Sequence, residues 1–231
     1  MDERHFVLFG PDHLGALGVL VLTTVAGVLF VRRDPGGVGT RRLVVALAAA
    51  LPALWAVENV AAWAGGWLAW EILPLHLCDV SVVLAGVGLL TRRLAVIEPL
   101  YFFALAGTVP ALVTPELGEG FPDVRFLVYF LPHGLVVLAT AVLVLGFRLV
   151  PRAGAWWRAF FFLNLCAAAV TPVNLLLDTN FLYLRGKPRA ATPFDWLGPW
   201  PSYVLTLEAA FLVLFFLLDL PLRPLRRRCG G

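Results

Sequence analysis

The sequence predicts an all-α polytopic membrane protein: a seven-transmembrane-helix bundle with its N-terminus outside and its C-terminus cytoplasmic. Three observations carry that prediction. Of the 231 residues, 60% are hydrophobic and 14% charged, whereas soluble domains are nearer half apolar and a quarter charged. The apolar residues fall into seven runs of roughly 18–22 residues, the length a helix needs to cross a ~30 Å hydrocarbon core. Basic residues, finally, crowd the breaks on alternate sides of those runs.

The first run, 14–31, follows MDERHFVLFGPDH, which has no basic leader, so it reads as a retained helix and not a cleaved signal peptide. It closes on RRDPGGVGTRR. The second, 43–64, ends at GGWLAWE, and the third, 73–90, opens at Pro74 and closes on TRRL. The fourth, 95–114, gives way to PELGEGFPDVR; the fifth, 126–147, carries Pro132 and ends in RLVPRAGAWWR. After the sixth, 159–178, comes the longest break, TNFLYLRGKPRAATPFDWLGPWP, and after the seventh, 202–221, the tail RPLRRRCGG. No break is long enough for a soluble domain, so residues 1–231 are expected to form a single membrane-embedded bundle.

Orientation follows from the basic residues at the span ends. One side collects Arg32, Arg33, Arg41, Arg42, Arg92, Arg93, Arg148, Arg152, Arg158, Arg223, Arg226, Arg227 and Arg228, which is 13 of the 18 Lys and Arg. The other side has the remaining 5: Arg4, Arg125, Arg185, Lys187 and Arg189. The first side is expected to be cytoplasmic in a multi-pass protein of the cell membrane. A pI near 9.0 calls for no nucleic-acid partner, because these arginines sit where anionic headgroups lie. Cys78, Cys166 and Cys229 fall on different segments and make no CxxC pair, so no disulfide framework is expected. Cys166 reads as a small core residue.

Polar side chains inside spanning helices are rare and usually face a bundle interior or cavity. Residue counting along the spans places Glu58, Asn59, His76, Cys78, Asp79, His133, Asn174 and Glu208 at one depth, roughly 5–12 Å below the outer boundary at ~1.5 Å per residue. Glu98, Asn164 and Cys166 fall in the inner half. On a regular helix His76 and Asp79 share a face, while Cys78 lies about 200° from His76, so the last two compete for the cavity. The asparagines and Asp79 read equally well as interhelical glue. In LPHG, His133 follows Pro132, which removes a backbone donor from the same turn.

A cysteine and a histidine within reach of one another form a nucleophile and a base, with an acid to orient the imidazole. Cys78 and His133 are the candidate pair and Asp79, Glu208 or Glu58 the candidate orienting acid. At the outer leaflet boundary, lipid esters are the natural electrophiles. Arg125 and the basic-aromatic stretch NFLYLRGKPR, with Arg185, Lys187 and Arg189, suit a phospholipid headgroup, or equally an interfacial anchor. His76, Glu58, Asn59 and Asn174 complete the candidate lining. A zinc site is the weaker reading, since no close ligand pair such as HExxH occurs; no metal and no cofactor are expected. The alternative to an enzyme is a transporter or binder of a small polar or lipidic ligand in the same outward-facing cavity.

Five segments also carry a resemblance: LPLHLCD, YFFALAGTVPALVTPEL, FPDVRFLVYFLPHG, NFLYLRGKP and LGPWPSYVL. In order and spacing, from about residue 45 to 220, they resemble the bacterial YwaF-type integral membrane proteins, which are similar to the transmembrane protein 164 family. The resemblance implies a membrane acyltransferase acting on ether phospholipids through a cysteine and a histidine, which fall here on Cys78 and His133. Membrane lipids, phospholipid or acyl donor, are then the expected partners.

Overall fold

A computed structural model of the chain describes residues 5–66, 73–188 and 193–229. All seven apolar runs are helical: α1 (Pro11–Arg33), α2 (Val38–Ala64), α3 (Leu77–Thr91), α4 (Leu94–Val113), α5 (Val124–Gly146), α6 (Ala155–Leu176) and α7 (Ser202–Asp219). A short α8 (Leu222–Cys229) ends the described chain. Among the described residues six helices are long and apolar enough to cross a membrane. The exception is α3, which has 15 residues and so spans about 22 Å. It begins later than its apolar run, because His76 is extended (φ −74°, ψ 157°) and caps the helix from outside it. Its other end is a left-handed turn at Arg92, φ 52°, whose N–H closes on the Gly88 carbonyl.

Prolines shape the long helices. Pro11 opens α1, where a missing donor is harmless, and Asp123 caps α5 by accepting from the Arg125 N–H at 2.7 Å. Within α4 the turn Ala104–Thr108 is π-helical, just before Pro110, which cannot donate to the carbonyl four residues back. A second π-turn, Val142–Gly146, ends α5.

The core centres on α4 and α5, 61% and 50% buried over their spans, against 11% for α1 and 17% for α2. Leu51, Ile97, Leu100, Phe102, Phe103, Leu143 and Phe215 are fully buried there. α2 packs on α3 and α5, α4 on α3 and α6, and α6 on α7, while α1 leans chiefly on α5.

Ion pairs lock the arginine-rich end. Glu98, 2% exposed, accepts from the Arg152 backbone N–H (3.1 Å), Arg152 Nε (2.7 Å) and Nη2 (3.2 Å), and from Arg158 Nε and Nη2 (both 2.9 Å). The carboxylate raises the affinity of the Arg152 guanidinium for its proton. Asp219 pairs with Arg226, whose Nε also donates to the Pro151 carbonyl at 2.6 Å. One carboxylate thus ties α4 to the 147–154 connection, and another ties α7 to α8.

Candidate functional site

At the opposite end, the start of α3 is fastened to α2 through Asp79. Its Oδ2 accepts from the His76 backbone N–H and its Oδ1 from the Trp55 indole, each at 2.9 Å. Both oxygens are therefore engaged in placing the helix start. One turn from Trp55, Glu58 lies within electrostatic reach of Asp79 and Cys78, and its half-buried carboxyl makes no hydrogen bond among the described residues.

Cys78 follows in the first turn of α3, half-buried, with its thiol beside the Thr108 hydroxyl. Thr108 closes the π-turn of α4; its Oγ1 is fully buried and has no aligned partner among the described residues. Gly107 makes the approach possible, because a Cβ there would come within 2.8 Å of the Leu77 side chain. The rivalry expected between His76 and Cys78 for one helix face dissolves: His76 stands outside the helix, so the 100° periodicity does not relate the two. Its ring packs edge-on against Phe181 (5.1 Å between centroids) and against Tyr183 (5.7 Å).

On α5, His133 is 8% exposed. Its Nδ1 lies 2.7 Å from the Tyr129 carbonyl, and its ring stacks on that of Tyr129 at 4.5 Å and 19°. A carbonyl only accepts, so Nδ1 carries the proton and Nε2 keeps a bare lone pair. The Tyr129 phenol donates to the Ala111 carbonyl at 2.8 Å and lies within electrostatic reach of Cys78, Glu58 and Glu116. Tyr129 thus stacks on the histidine and lies within electrostatic reach of the cysteine.

The loop after α6 covers this cluster. Asn174, 1% exposed, holds it: Oδ1 accepts from the Phe181 N–H (2.8 Å) and the Thr179 hydroxyl (3.0 Å), while Nδ2 donates to the Phe181 carbonyl (2.9 Å). Arg185 Nη1 donates to the Asn174 carbonyl at 2.9 Å and pairs with Asp178 at 2.7 Å. With that support Leu182 and Tyr183 sit at φ 57° and 55°, a conformation that costs of order 1–3 kcal/mol per residue unless its surroundings enforce it. The Tyr183 hydroxyl donates to Glu116 at 3.4 Å and its carbonyl accepts from the Tyr203 hydroxyl. Burial, with the Glu116 carboxylate nearby, pushes the Tyr183 phenol up to about 12.

The other candidates named from sequence have partners of their own. Asn59 bonds back to the Trp55 carbonyl at 2.7 Å. Arg125 pairs with Glu119 on the surface. Lys187 reaches the Asp195 carbonyl at 3.3 Å and lies over the Tyr203 ring. Glu208 accepts from Asn164 Nδ2 at 2.6 Å in the groove between α6 and α7. That bond puts at one level two residues that counting assigned to different halves of the membrane; counting from span ends fails where neighbouring helices start at unequal heights. Arg189 lies outside the described residues, and no grouping of three or more His, Cys, Asp or Glu suited to a metal occurs among those described.

The family model that matches the chain is that of the TMEM164 family, over residues 8–219. The chain belongs to the TMEM164 family. It is similar to an uncharacterized protein of Treponema pallidum (strain Nichols), at 26% identity over 224 residues, covering 96% of this chain and 92% of that protein. No solved structure matches it. Within this TMEM164-family bundle, sequence reasoning missed Trp55, Thr108, Tyr129 and Tyr183. Tyr129 carried a usable signal, since it precedes His133 by four residues and so shares its helix face. Thr108 carried none, because the π-turn that aims it breaks the helical period.

Proposed function

We propose that this protein, a multi-pass membrane protein, performs acyl transfer or acyl hydrolysis on a membrane lipid, with Cys78 as nucleophile and His133 as base. The observation that carries the reading is the 2.7 Å bond between His133 Nδ1 and the Tyr129 carbonyl, which turns Nε2 into the acceptor nitrogen of a neutral ring, while Tyr129, stacked on that ring, lies within electrostatic reach of Cys78. His133 Nε2 takes the thiol proton as sulfur attacks an ester carbonyl. The C–O bond breaks, the leaving alcohol takes the proton from His133, and a thioester remains on Cys78. Water or a second lipid hydroxyl, losing its proton to His133, then breaks the C–S bond and restores the thiol. Asp79 fixes the helix that carries the nucleophile, and Glu58 is the carboxyl left to interact with polar parts of the substrate. An apolar recess of about 580 Å³ between α1 and α5, lined by Leu20, Leu127, Phe130, Leu131 and Leu138, offers a bed for a hydrocarbon tail. In this reading the arginine-rich end is cytoplasmic and the Cys78 end faces outward.

The test uses proteoliposomes holding a phospholipid with a tagged acyl chain. A hydroxylamine-sensitive acyl adduct on Cys78, and turnover reduced by a factor of ~10²–10⁴ in His133→Ala, are expected. Unchanged turnover in Cys78→Ala and His133→Ala overturns the reading. A second reading draws on Glu58, whose carboxyl makes no hydrogen bond among the described residues and lies within electrostatic reach of Asp79: a non-enzymatic binder or transporter would keep ligand binding in Cys78→Ser and lose it in Glu58→Gln.

A further inference from the structure

At the arginine-rich end, α1, α3 and α5 each bring an arginine to one short stretch of chain. Arg32 is the last but one residue of α1, Arg92 caps α3, and Arg148 follows the π-turn that ends α5. Gly146 in that turn lies so near α1 that a Cβ there would come within 3.1 Å of the Val31 side chain. Arg32 Nε donates to the Leu145 carbonyl at 2.9 Å, and the Arg92 guanidinium lies 4.0 Å from the centre of the Phe147 ring. All three arginines thus attach to, or belong to, the stretch Leu145–Arg148, which spans at most ~10 Å.

The fold does not answer their charge. Arg152, Arg158, Arg223 and Arg226 pair with Glu98 or Asp219, whereas Arg32, Arg92 and Arg148 meet no carboxylate among the described residues. Asp34, the remaining carboxylate of this end, turns back on the start of α2, against Gly37. The three helix C-termini contribute about −0.5 each, which offsets roughly half the charge of the three guanidiniums. Arg92 and Arg148 also hold left-handed backbone, φ 52° and 60°, where helices most often end on glycine. The turns alone therefore do not account for arginine at either position.

The level of these residues decides what lies against them. α1 and α5 are both long enough to span, so their ends stand at headgroup level. Just inward, Leu29 shares the helix face of Arg32 and is exposed, as are Leu90 and Leu145. Guanidinium N–H groups match phosphate oxygens. A ligand that meets cations above and apolar side chains below is a lipid; a free anion would use the upper half alone.

We infer that Arg32, Arg92 and Arg148 form a binding site for the phosphate of an anionic phospholipid, whose acyl chains lie along Leu29, Leu90 and Leu145. The bound headgroup ties α1, the least buried of the six long helices, to α3 and α5. The inference is independent of the chemistry at Cys78.

The full chain in detergent micelles is titrated with dioleoylphosphatidylglycerol, with dioleoylphosphatidylcholine and with inorganic phosphate, and bound molecules are counted by native mass spectrometry. The first phosphatidylglycerol is expected to bind about tenfold more tightly than phosphatidylcholine. Arg32→Gln, Arg92→Gln and Arg148→Gln each weaken it by about fivefold, the scale of one basic residue at a membrane surface. The double variant Arg41→Gln/Arg42→Gln, at the start of α2, leaves it within about twofold. The Arg148 side chain makes no hydrogen bond among the described residues, so Arg148→Gln decides the matter even if Arg32→Gln fails to fold. Equal affinity for the two lipids overturns the inference. So does a loss as large in Arg41→Gln/Arg42→Gln, the mark of diffuse charge, and so does displacement of the lipid by millimolar inorganic phosphate, the mark of a free-anion site.

Discussion

Replacing Glu98 with alanine tests whether the arginine-rich end is held by one buried carboxylate. Glu98 is 2% exposed and accepts five hydrogen bonds from Arg152 and Arg158. Charge-assisted bonds contribute ~1.5–3 kcal/mol each, but the five do not add, because both arginines can recover water. Their side chains are 57% and 47% exposed, so the loss should sit at the lower end of the ~3–5 kcal/mol typical of breaking a buried pair, about 3 kcal/mol. The arginines should cost less. Arg158→Ala leaves every bond from Arg152, and Arg152→Ala leaves both bonds from Arg158 and its own backbone N–H bond, so neither leaves the carboxylate unpaired. Reversible unfolding in a bilayer, read by steric trapping, gives all three values, and the double mutant Arg152→Ala/Arg158→Ala gives the coupling. A Glu98→Ala loss under 1 kcal/mol, or an arginine costing more than the glutamate, would refute the reasoning.

Two further outcomes are expected. Asp79→Ala removes the acceptor of both the Trp55 indole and the His76 N–H; the indole N–H resonance of Trp55 should move and stability fall by about 2 kcal/mol, and an unmoved resonance would exclude the fastening of α3 to α2. The folded Tyr183 phenol holds its proton to about 12, against 10.0 for the ordinary side chain. The folded state then binds more protons than the unfolded chain above pH 10, so stability should fall as pH rises from 10 towards 12. Tyr183→Phe should reduce that slope in alkaline denaturation curves, and an identical slope in the variant would deny Tyr183 its buried place in the loop.

The architecture was legible in sequence because hydrophobic runs and arginine clusters report directly on span and end. The candidate site was legible in the residue types it would need more than in its geometry. Cys78 and His133 stood out as costly groups in apolar helices, and they do come from helices that pack together. What escaped was set by local departures from the regular helix: Asp79 starts α3 late and takes His76 out of its face, and a π-turn aims Thr108 at the thiol. Asn174 looked like a cavity residue, yet its amide is spent on the Phe181 backbone, a partner no spacing rule points to. Glu208 and Asn164 show the limit of residue counting, since two helices need not begin at the same height.

The attachment of α1 bears on how the chain is made. Its long-range bonds, His13 to the Leu112 carbonyl at 2.9 Å and Arg32 to the Leu145 carbonyl at 2.9 Å, cross 99 and 113 residues. At a synthesis rate of ~5–20 residues per second, the first helix must wait roughly 5–20 s in the bilayer before its partner emerges from the ribosome. Its composition suits that interval: it is the most apolar of the six long helices, and its two intramembrane hydroxyls, on Thr23 and Thr24, belong to side chains able to bond their own turn, as Thr23 does to Val19. α1 is built to stand alone in lipid until α5 arrives.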